Sequence, residues 1–300
     1  MGTSSPTAAS RPIYSIDLFC GPGGLATGLR WAGIRPVIAV EWSDRTVETY
    51  SENHGAEIIE LEDCLADRTA LLPYLVRTER PVIIHGDNLV NTLLRERFGL
   101  SRVDLVTGGA PCESFSMAGD RKVDDSRNQL YQNVLRIARA AGARMFLFEN
   151  VKGLFSKRMA EGARPGSMYE HVCDEFEEER DGVAYRLASR DPDEVLLHAI
   201  DRRLDPDKPS FTVTSHCLDE MIHPYQDRGL TPREAARLQS FPDWYAFSGP
   251  YMRFHGDAEQ DRYEQIGDAI PPLLAYALGR ELAASLSGRD MPEIRIEEQG

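Results

Sequence analysis

The sequence predicts an α/β fold, a mostly parallel sheet covered by helices on both faces. Three observations predict it. An apolar strand-type run, Ile13-Tyr14-Ser15-Ile16-Asp17-Leu18-Phe19, enters a glycine loop, Cys20-Gly21-Pro22-Gly23-Gly24, and then a helical pattern from Leu25 to Ala32. Further runs of the same type follow, separated by helical patterns, which is the alternation of a parallel sheet. Several runs end on residues that can do chemistry, and an open α/β sheet places its site at the carboxyl ends of its strands.

Composition sets the outer bounds. The 300 residues suit one large domain, or one domain with a smaller lobe. No window of about 18 apolar residues occurs, so no membrane span is expected. Residues 1–12 are rich in Ser, Thr and Ala without the apolar core of a signal peptide and read as a disordered tail; residues 288–300 read as an acidic one. Five scattered cysteines (Cys20, Cys64, Cys112, Cys173, Cys217) lack any CxxC spacing, which points to reduced thiols, no metal site and a cytoplasmic location. The net charge of −14 argues against tight, unaided binding of a polyanion. Arg121, Lys122, Arg127, Arg136, Arg139, Arg233 and Arg237 leave room for a confined basic groove.

Each element follows in order. The glycine loop lets a ligand approach the backbone and the helix start, yet it has neither GxGxxG spacing nor a following GK[ST]. Pro36 to Val40 reads as a second strand that ends at Glu41-Trp42. An acid at that position suits a ribose diol, and the tryptophan suits stacking on a purine; the plainer readings are a strand-end charge and a half-buried ring. Thr46 to Asn53 reads as a helix and residues 57–80 as less regular chain. Pro81 to His85 is a third strand, after which Asp87 can accept a hydrogen bond from an exocyclic amine. Val103 to Thr107 is a fourth, entering Gly108-Gly109-Ala110-Pro111-Cys112-Glu113-Ser114-Phe115-Ser116, where a proline fixes the backbone just before a cysteine. A helix opening near Arg127 carries Leu130, Val134 and Ile137 at helical spacing. Arg144 to Phe148 is a fifth strand and ends at Glu149-Asn150-Val151. Tyr169 to Arg180 reads as an acidic helix whose Val172 and Phe176 could face a core, a solvated face being the preferred reading.

Two strand ends therefore present a thiol and a carboxylate. That pair suits activation of a pyrimidine. C5 of the ring is a poor nucleophile until a thiolate adds to C6 and breaks the conjugation, and an acid at N3 stabilises the charge that develops. C5 then takes a methyl group from a sulfonium donor. The thiolate needs a lowered pKa and the carboxyl group a raised one. In a duplex the base must first leave the stack.

On these residues the chain resembles the cytosine-C5 DNA methyltransferase family. Asp17-Leu18-Phe19-Cys20-Gly21-Pro22-Gly23-Gly24 is similar to its S-adenosylmethionine loop, Pro111-Cys112 to its catalytic pair and Glu149-Asn150-Val151 to its Glu-Asn-Val motif. Leu230 to Pro242 is similar to its ninth motif and Gln265 to Pro272 to its tenth. The resemblance implies a Rossmann-like S-adenosylmethionine methyltransferase fold with a small second lobe. It implies Cys112 as nucleophile, Glu149 at N3, and Pro111 and Asn150 in support. It implies a cofactor site built from Phe19, Gly21, Gly23, Gly24, Leu25, Glu41, Trp42, Asp87 and Asp268. The substrate implied is cytosine flipped from duplex DNA, in a restriction-modification or orphan setting.

The chain departs from the pattern in three places. Glu113 replaces the usual Gln after Pro-Cys, and Asp268 replaces the usual Asn of Gln-x-Gly-Asn. Between Val151 and Leu230 no Gln-x-Arg-x-Arg occurs, Arg186 and Arg190 being the substitutes on offer. The expected organisation is a catalytic domain of residues 13–165 plus 260–287 and a reduced recognition lobe, with its connecting motif, of residues 166–259. The tenth motif, Gln265 to Leu282, is expected to return as a helix beside the glycine loop. Two other readings stand beside the leading one: the same chemistry on RNA or a free cytosine nucleotide, and a cofactor-binding regulatory relative without turnover. A protein partner supplying DNA contacts is a further expectation.

Overall fold

The computed structural model describes residues 11–60, 82–85, 98–110, 129–150, 152–178, 202–215, 217–252 and 260–288. The core is a parallel sheet in which β1 (Ile13–Leu18) lies between β2 (Ile34–Glu41) and β5 (Leu105–Gly109). β4 (Val82–His85) and then β3 (Glu57–Glu60) continue on the β2 side, and β6 (Met145–Glu149) flanks β5. The order β3-β4-β2-β1-β5-β6 reverses direction between β1 and β5. Such a switch point opens a crevice beyond the strand ends.

Both faces are covered, as expected for strands this apolar. On one face Ile16, Leu18 and Val106 pack with Val134 and Ile137 of α3 (Tyr131–Ala140). On the other, Leu105 and Ile34 pack with Leu25 and Leu29 of α1 (Gly24–Trp31) and with Ala275 and Leu286 of the C-terminal helix, Pro272–Ser287. The Rossmann-like α/β fold read from the sequence is what the chain adopts. The tenth motif also returns to α1 as expected, at glycine-limited distance. A Cβ on Gly28 would lie 2.3 Å from the Pro272 carbonyl oxygen, and one on Gly279 2.8 Å from Cβ of Ala32.

Three local expectations need correction. β3 lies in chain read as less regular; its Glu-Ile-Ile-Glu is too short to show a period. β5 runs on to Gly109, because its pairing with β6 continues to Glu149. The third concerns α4 (Ser167–Glu177), whose apolar side is buried rather than solvated. Phe176 sits edge-on to Phe146, Phe148 and Tyr131, with ring centroids 4.9, 5.3 and 5.8 Å away. The alternative in which Val172 and Phe176 face a core is the one that holds; the aromatic partners that bury them lie in distant strands and helices.

A second core gathers Leu204, Val213, Cys217, Met221, Leu230, Ala235, Phe241, Tyr245, Tyr263 and Ile266. Its helices α6 (Pro232–Leu238) and α7 (Arg262–Gly267) each start on a capping box, Thr231 with Glu234 and Asp261 with Glu264. Arg228 also grips Glu234 through two bonds of 2.8 and 2.9 Å, which holds that carboxyl down to about 2.

Gly28→Ala tests the seating of the C-terminal helix. Helix propensity favours alanine, but the added methyl meets backbone oxygen, so a net loss of about 1–3 kcal/mol is expected. Thermal unfolding of the variant checks this as a lowered midpoint.

Candidate active site at the strand ends

The glycine loop turns sharply because Phe19 just before it and two of its five residues adopt left-handed backbone: Phe19 at φ 53°, Gly21 at 54° and Gly23 at 97°. For Phe19 that conformation is strained, and its ring is held by both flanking cores. Glu41, at the end of β2, gathers the loop. One carboxylate oxygen accepts from the Gly21 N–H at 2.9 Å, the other from the Trp42 and Ser43 N–H groups at 2.8 and 3.0 Å. Beside it Trp42 is 84% exposed, so the half-buried alternative does not hold.

Packing admits only glycine on the loop's underside. A Cβ on Gly23 would come within 2.5 Å of His54 Nε2 and 2.8 Å of the Tyr245 hydroxyl, and one on Gly24 within 2.2 Å of the Ile270 carbonyl oxygen. At Gly21 a Cβ would meet nothing within 4 Å among the described residues, which leave that side of the loop open. Leu25 is buried in the first turn of α1.

The second half of the site lies across the switch point. Gly109 of β5 stands in register with Glu149 of β6. A Cβ on Gly109 would be 3.1 Å from a Glu149 carboxylate oxygen, so the carboxylate lies against the start of the loop that leaves β5. Asn150 Nδ2 donates to the Ala110 carbonyl oxygen at 3.1 Å and ties the two strand ends together. Solvent reaches the Glu149 side chain, yet the protein around it desolvates the carboxyl and raises its pKa. Pro111, Cys112 and Asp87 lie outside the described residues, as do Glu113, Arg121, Lys122, Arg127, Arg186 and Arg190.

The remaining expected groups are placed as follows. Asp268 closes α7, exposed, and accepts from Gln260 Nε2 at 3.2 Å, while Gln260 Oε1 accepts from Thr46 at the start of α2 (Asp44–His54). The four described arginines among those expected to leave a basic groove are engaged within the protein. Arg233 donates to the carbonyls of Pro242 and Tyr245, and Arg237 pairs with Asp243 through two bonds. Arg136 donates to Asn133, and Arg139 to the Glu178 carbonyl. His54 and Tyr245, which form the loop's underside, were missed; no spacing signal links residues so far apart.

The switch-point crevice, the glycine loop with its acidic partner and the paired strand ends define a Rossmann-like methyltransferase. Solved structures agree on the fold: Dnmt2 methyltransferase of S. pombe superposes with a TM-score of 0.52 at 15% identity, over 92% of this chain and 99% of that one. The family model for C-5 cytosine-specific DNA methylase matches residues 13–73, 83–190 and 197–284, and the chain belongs to that family. By family it is a DNA cytosine-5 methyltransferase. Among its relatives, the Type II methyltransferase M.DdeI of Desulfomicrobium norvegicum is 24% identical over 388 aligned positions, covering 89% of this chain and 88% of the relative. M.XorII of Xanthomonas oryzae pv. oryzae is 26% identical over 407, covering 95% and 87%. Both alignments are longer than this chain of 300 residues, so the relatives carry residues that it lacks, in keeping with a shortened region. Among the described residues no group of three or more His, Cys, Asp or Glu could hold a metal, and no helix is long and apolar enough to cross a membrane.

Asp17 lies beneath the loop, 1% exposed. Thr107 Oγ1 donates to Oδ1 at 2.8 Å, while Oδ2 has no hydrogen-bond partner among the described residues. Burial pushes its carboxyl up to about 7, against the lowering effect of Thr107, and the Glu41 charge adds to the rise. In the unfolded chain the group titrates near 3.8, so between 3.8 and 7 the folded state keeps a proton that the unfolded state releases. Stability from this group is therefore full below 3.8, falls as pH rises to about 7, and levels off above, by at most about 4 kcal/mol. Asp17→Asn is expected to remove that decline, measured as the denaturant midpoint at a series of pH values.

Proposed function

We propose that this chain transfers a methyl group from S-adenosylmethionine to C5 of cytosine in DNA through a covalent adduct between Cys112 and C6. The observation that carries the reading is the register of Gly109 with Glu149, locked by the Asn150 bond to Ala110. It sets an acid with a raised pKa against the loop whose next residues are Pro111 and Cys112.

The glycine loop fits the cofactor. Its underside is filled to the limit of a glycine, Gly21 is open, and Trp42 presents its ring. Phe19, Gly21, Gly23, Gly24 and Leu25 would hold it along the loop and helix start. Glu41 would take a ribose hydroxyl, because three amides use three of its roughly four acceptor sites and fix the fourth. Trp42 would stack on the adenine, Asp87 would accept from its amine, and Asp268 would approach from the C-terminal motif. When bound, the sulfonium supplies an electrophilic methyl group.

The chain's own residues then perform the rest. Pro111 fixes the backbone before Cys112, whose thiolate adds to C6 of the flipped base. Glu149, whose pKa desolvation raises, donates a proton to N3 as negative charge builds in the ring. Once C5 carries the methyl group, the C5 proton leaves to solvent, the C5–C6 double bond re-forms as the thiolate departs, and N3 returns its proton to Glu149. Asn150 holds the Ala110 carbonyl and so the base of the nucleophile loop. The Type II names of the relatives favour a restriction-modification role in the cytoplasm.

Bisulfite sequencing of nucleic acid from cells that express the chain tests the assignment. Methylated cytosine in DNA is expected; methylation confined to RNA would move the substrate, and none in either would make the chain a regulatory relative. Cys112→Ser is expected to abolish methylation, and Glu149→Gln to slow it by about 10²- to 10⁴-fold. Unchanged methylation in Cys112→Ser contradicts the mechanism.

A further inference from the structure

Beneath the glycine loop runs a chain of polar contacts that no step of the proposed reaction uses. Arg30 Nη1 lies 3.1 Å from His54 Nδ1 and donates to it, which leaves the ring proton on Nε2. The ring is uncharged, because burial and the neighbouring Arg30 push its pKa down to about 3. Nε2 stands 3.2 Å from the Tyr245 hydroxyl and 3.4 Å from Thr27 Oγ1 and donates toward them. The Tyr245 hydroxyl in turn donates to the Pro22 carbonyl, and Thr27 Oγ1 to the Gly23 carbonyl at 2.8 Å. Every proton points the same way, from Arg30 to two carbonyls of the loop. In a trans peptide the N–H opposes the C=O, so holding the Gly23 carbonyl sets the direction of the Gly24 N–H at the helix start.

Tyr245 reaches this chain from the second core. The residues after it are strapped along α2. Asn53 donates to the Ala246 carbonyl at 2.7 Å and accepts from its N–H at 2.9 Å. Thr49 Oγ1 accepts from the Ser248 N–H at 2.9 Å and donates to Gln265 Oε1 at 2.7 Å, and Gln265 Nε2 donates to the Ser248 carbonyl at 2.9 Å. One strap thus joins the second core, the helix that follows Glu41 and Trp42, and the glycine loop.

We propose that Tyr245 is a positioning residue for donor binding: its hydroxyl, delivered by the Tyr245–Ser248 strap, sets the shape of the cofactor loop, so that donor affinity depends on how the second core is seated. The inference rests on the reading of that loop as the S-adenosylmethionine site. It assigns the second core a part in donor binding.

Calorimetry of the full chain with S-adenosylhomocysteine tests it. Tyr245→Phe deletes one buried hydroxyl and is expected to raise Kd about tenfold, with KM for the donor rising in parallel and kcat at saturating donor within about twofold. Tyr263→Phe is the matched control. It deletes a hydroxyl from the same core, one that donates to the Leu230 carbonyl at 2.6 Å and does not touch the loop. A similar loss of thermal stability with unchanged donor affinity is expected there. Wild-type affinity in Tyr245→Phe, or equal weakening in Tyr263→Phe, overturns the proposal. Should Tyr245→Phe not fold, Asn53→Ala unhooks the strap and is expected to weaken binding in the same sense; unchanged affinity overturns the proposal as well. If the wild-type chain itself fails to bind S-adenosylhomocysteine, the cofactor reading falls and this inference with it.

Discussion

The site depends on one constraint, the parallel register of β5 between β1 and β6. With Asp17 opposite Thr107 on one side and Gly109 opposite Glu149 on the other, the ends of all three strands arrive at one edge of the sheet. A slip of one residue would turn every side chain to the opposite face and carry Glu149 away from the loop beside it. The buried apolar residues of β1 and β5 forbid that slip, since Ile16, Leu18 and Val106 would then trade places with Ser15, Asp17 and Thr107. The core thus fixes the chemistry at its edge.

Glycine does a second kind of work. At Gly23, Gly24 and Gly28 the protein packs where a Cβ would stand, so the loop and the first helix sit deeper than any other residue would allow. On the opposite side, at Gly21, the described residues leave the loop open. Two carboxyls close to this arrangement are held in unlike surroundings. Glu41 is surrounded by amide donors, whereas Asp17 keeps an oxygen with no hydrogen-bond partner among the described residues, and burial favours its neutral form.

Much of this was legible in the chain itself. The first strand, glycine loop and first helix announce themselves through local pattern, and so do Glu41-Trp42 and Glu149-Asn150, because each sits at the end of an apolar run. What was not legible depends on distant partners. Val172 and Phe176 offer a core face in sequence, but their burial is decided by Phe146, Phe148 and Tyr131, which no helical period reveals. Arg233 and Arg237 look like candidates for a basic groove in sequence but spend their donors on the turn that follows them. The relay through His54 needs Tyr245, nearly two hundred positions away, and has no local signature at all.

The central claim is that a thiol and a carboxyl from neighbouring strand ends act on one flipped cytosine beside a sulfonium donor. The most direct measurement is mass spectrometry of the chain after incubation with a duplex carrying 5-fluorocytosine and S-adenosylmethionine. The fluorine blocks loss of the C5 substituent, so a covalent complex that forms only with the donor and maps to Cys112 is predicted. Attachment at any other residue, or methylation of ordinary DNA by a chain that never forms the complex, would contradict the account.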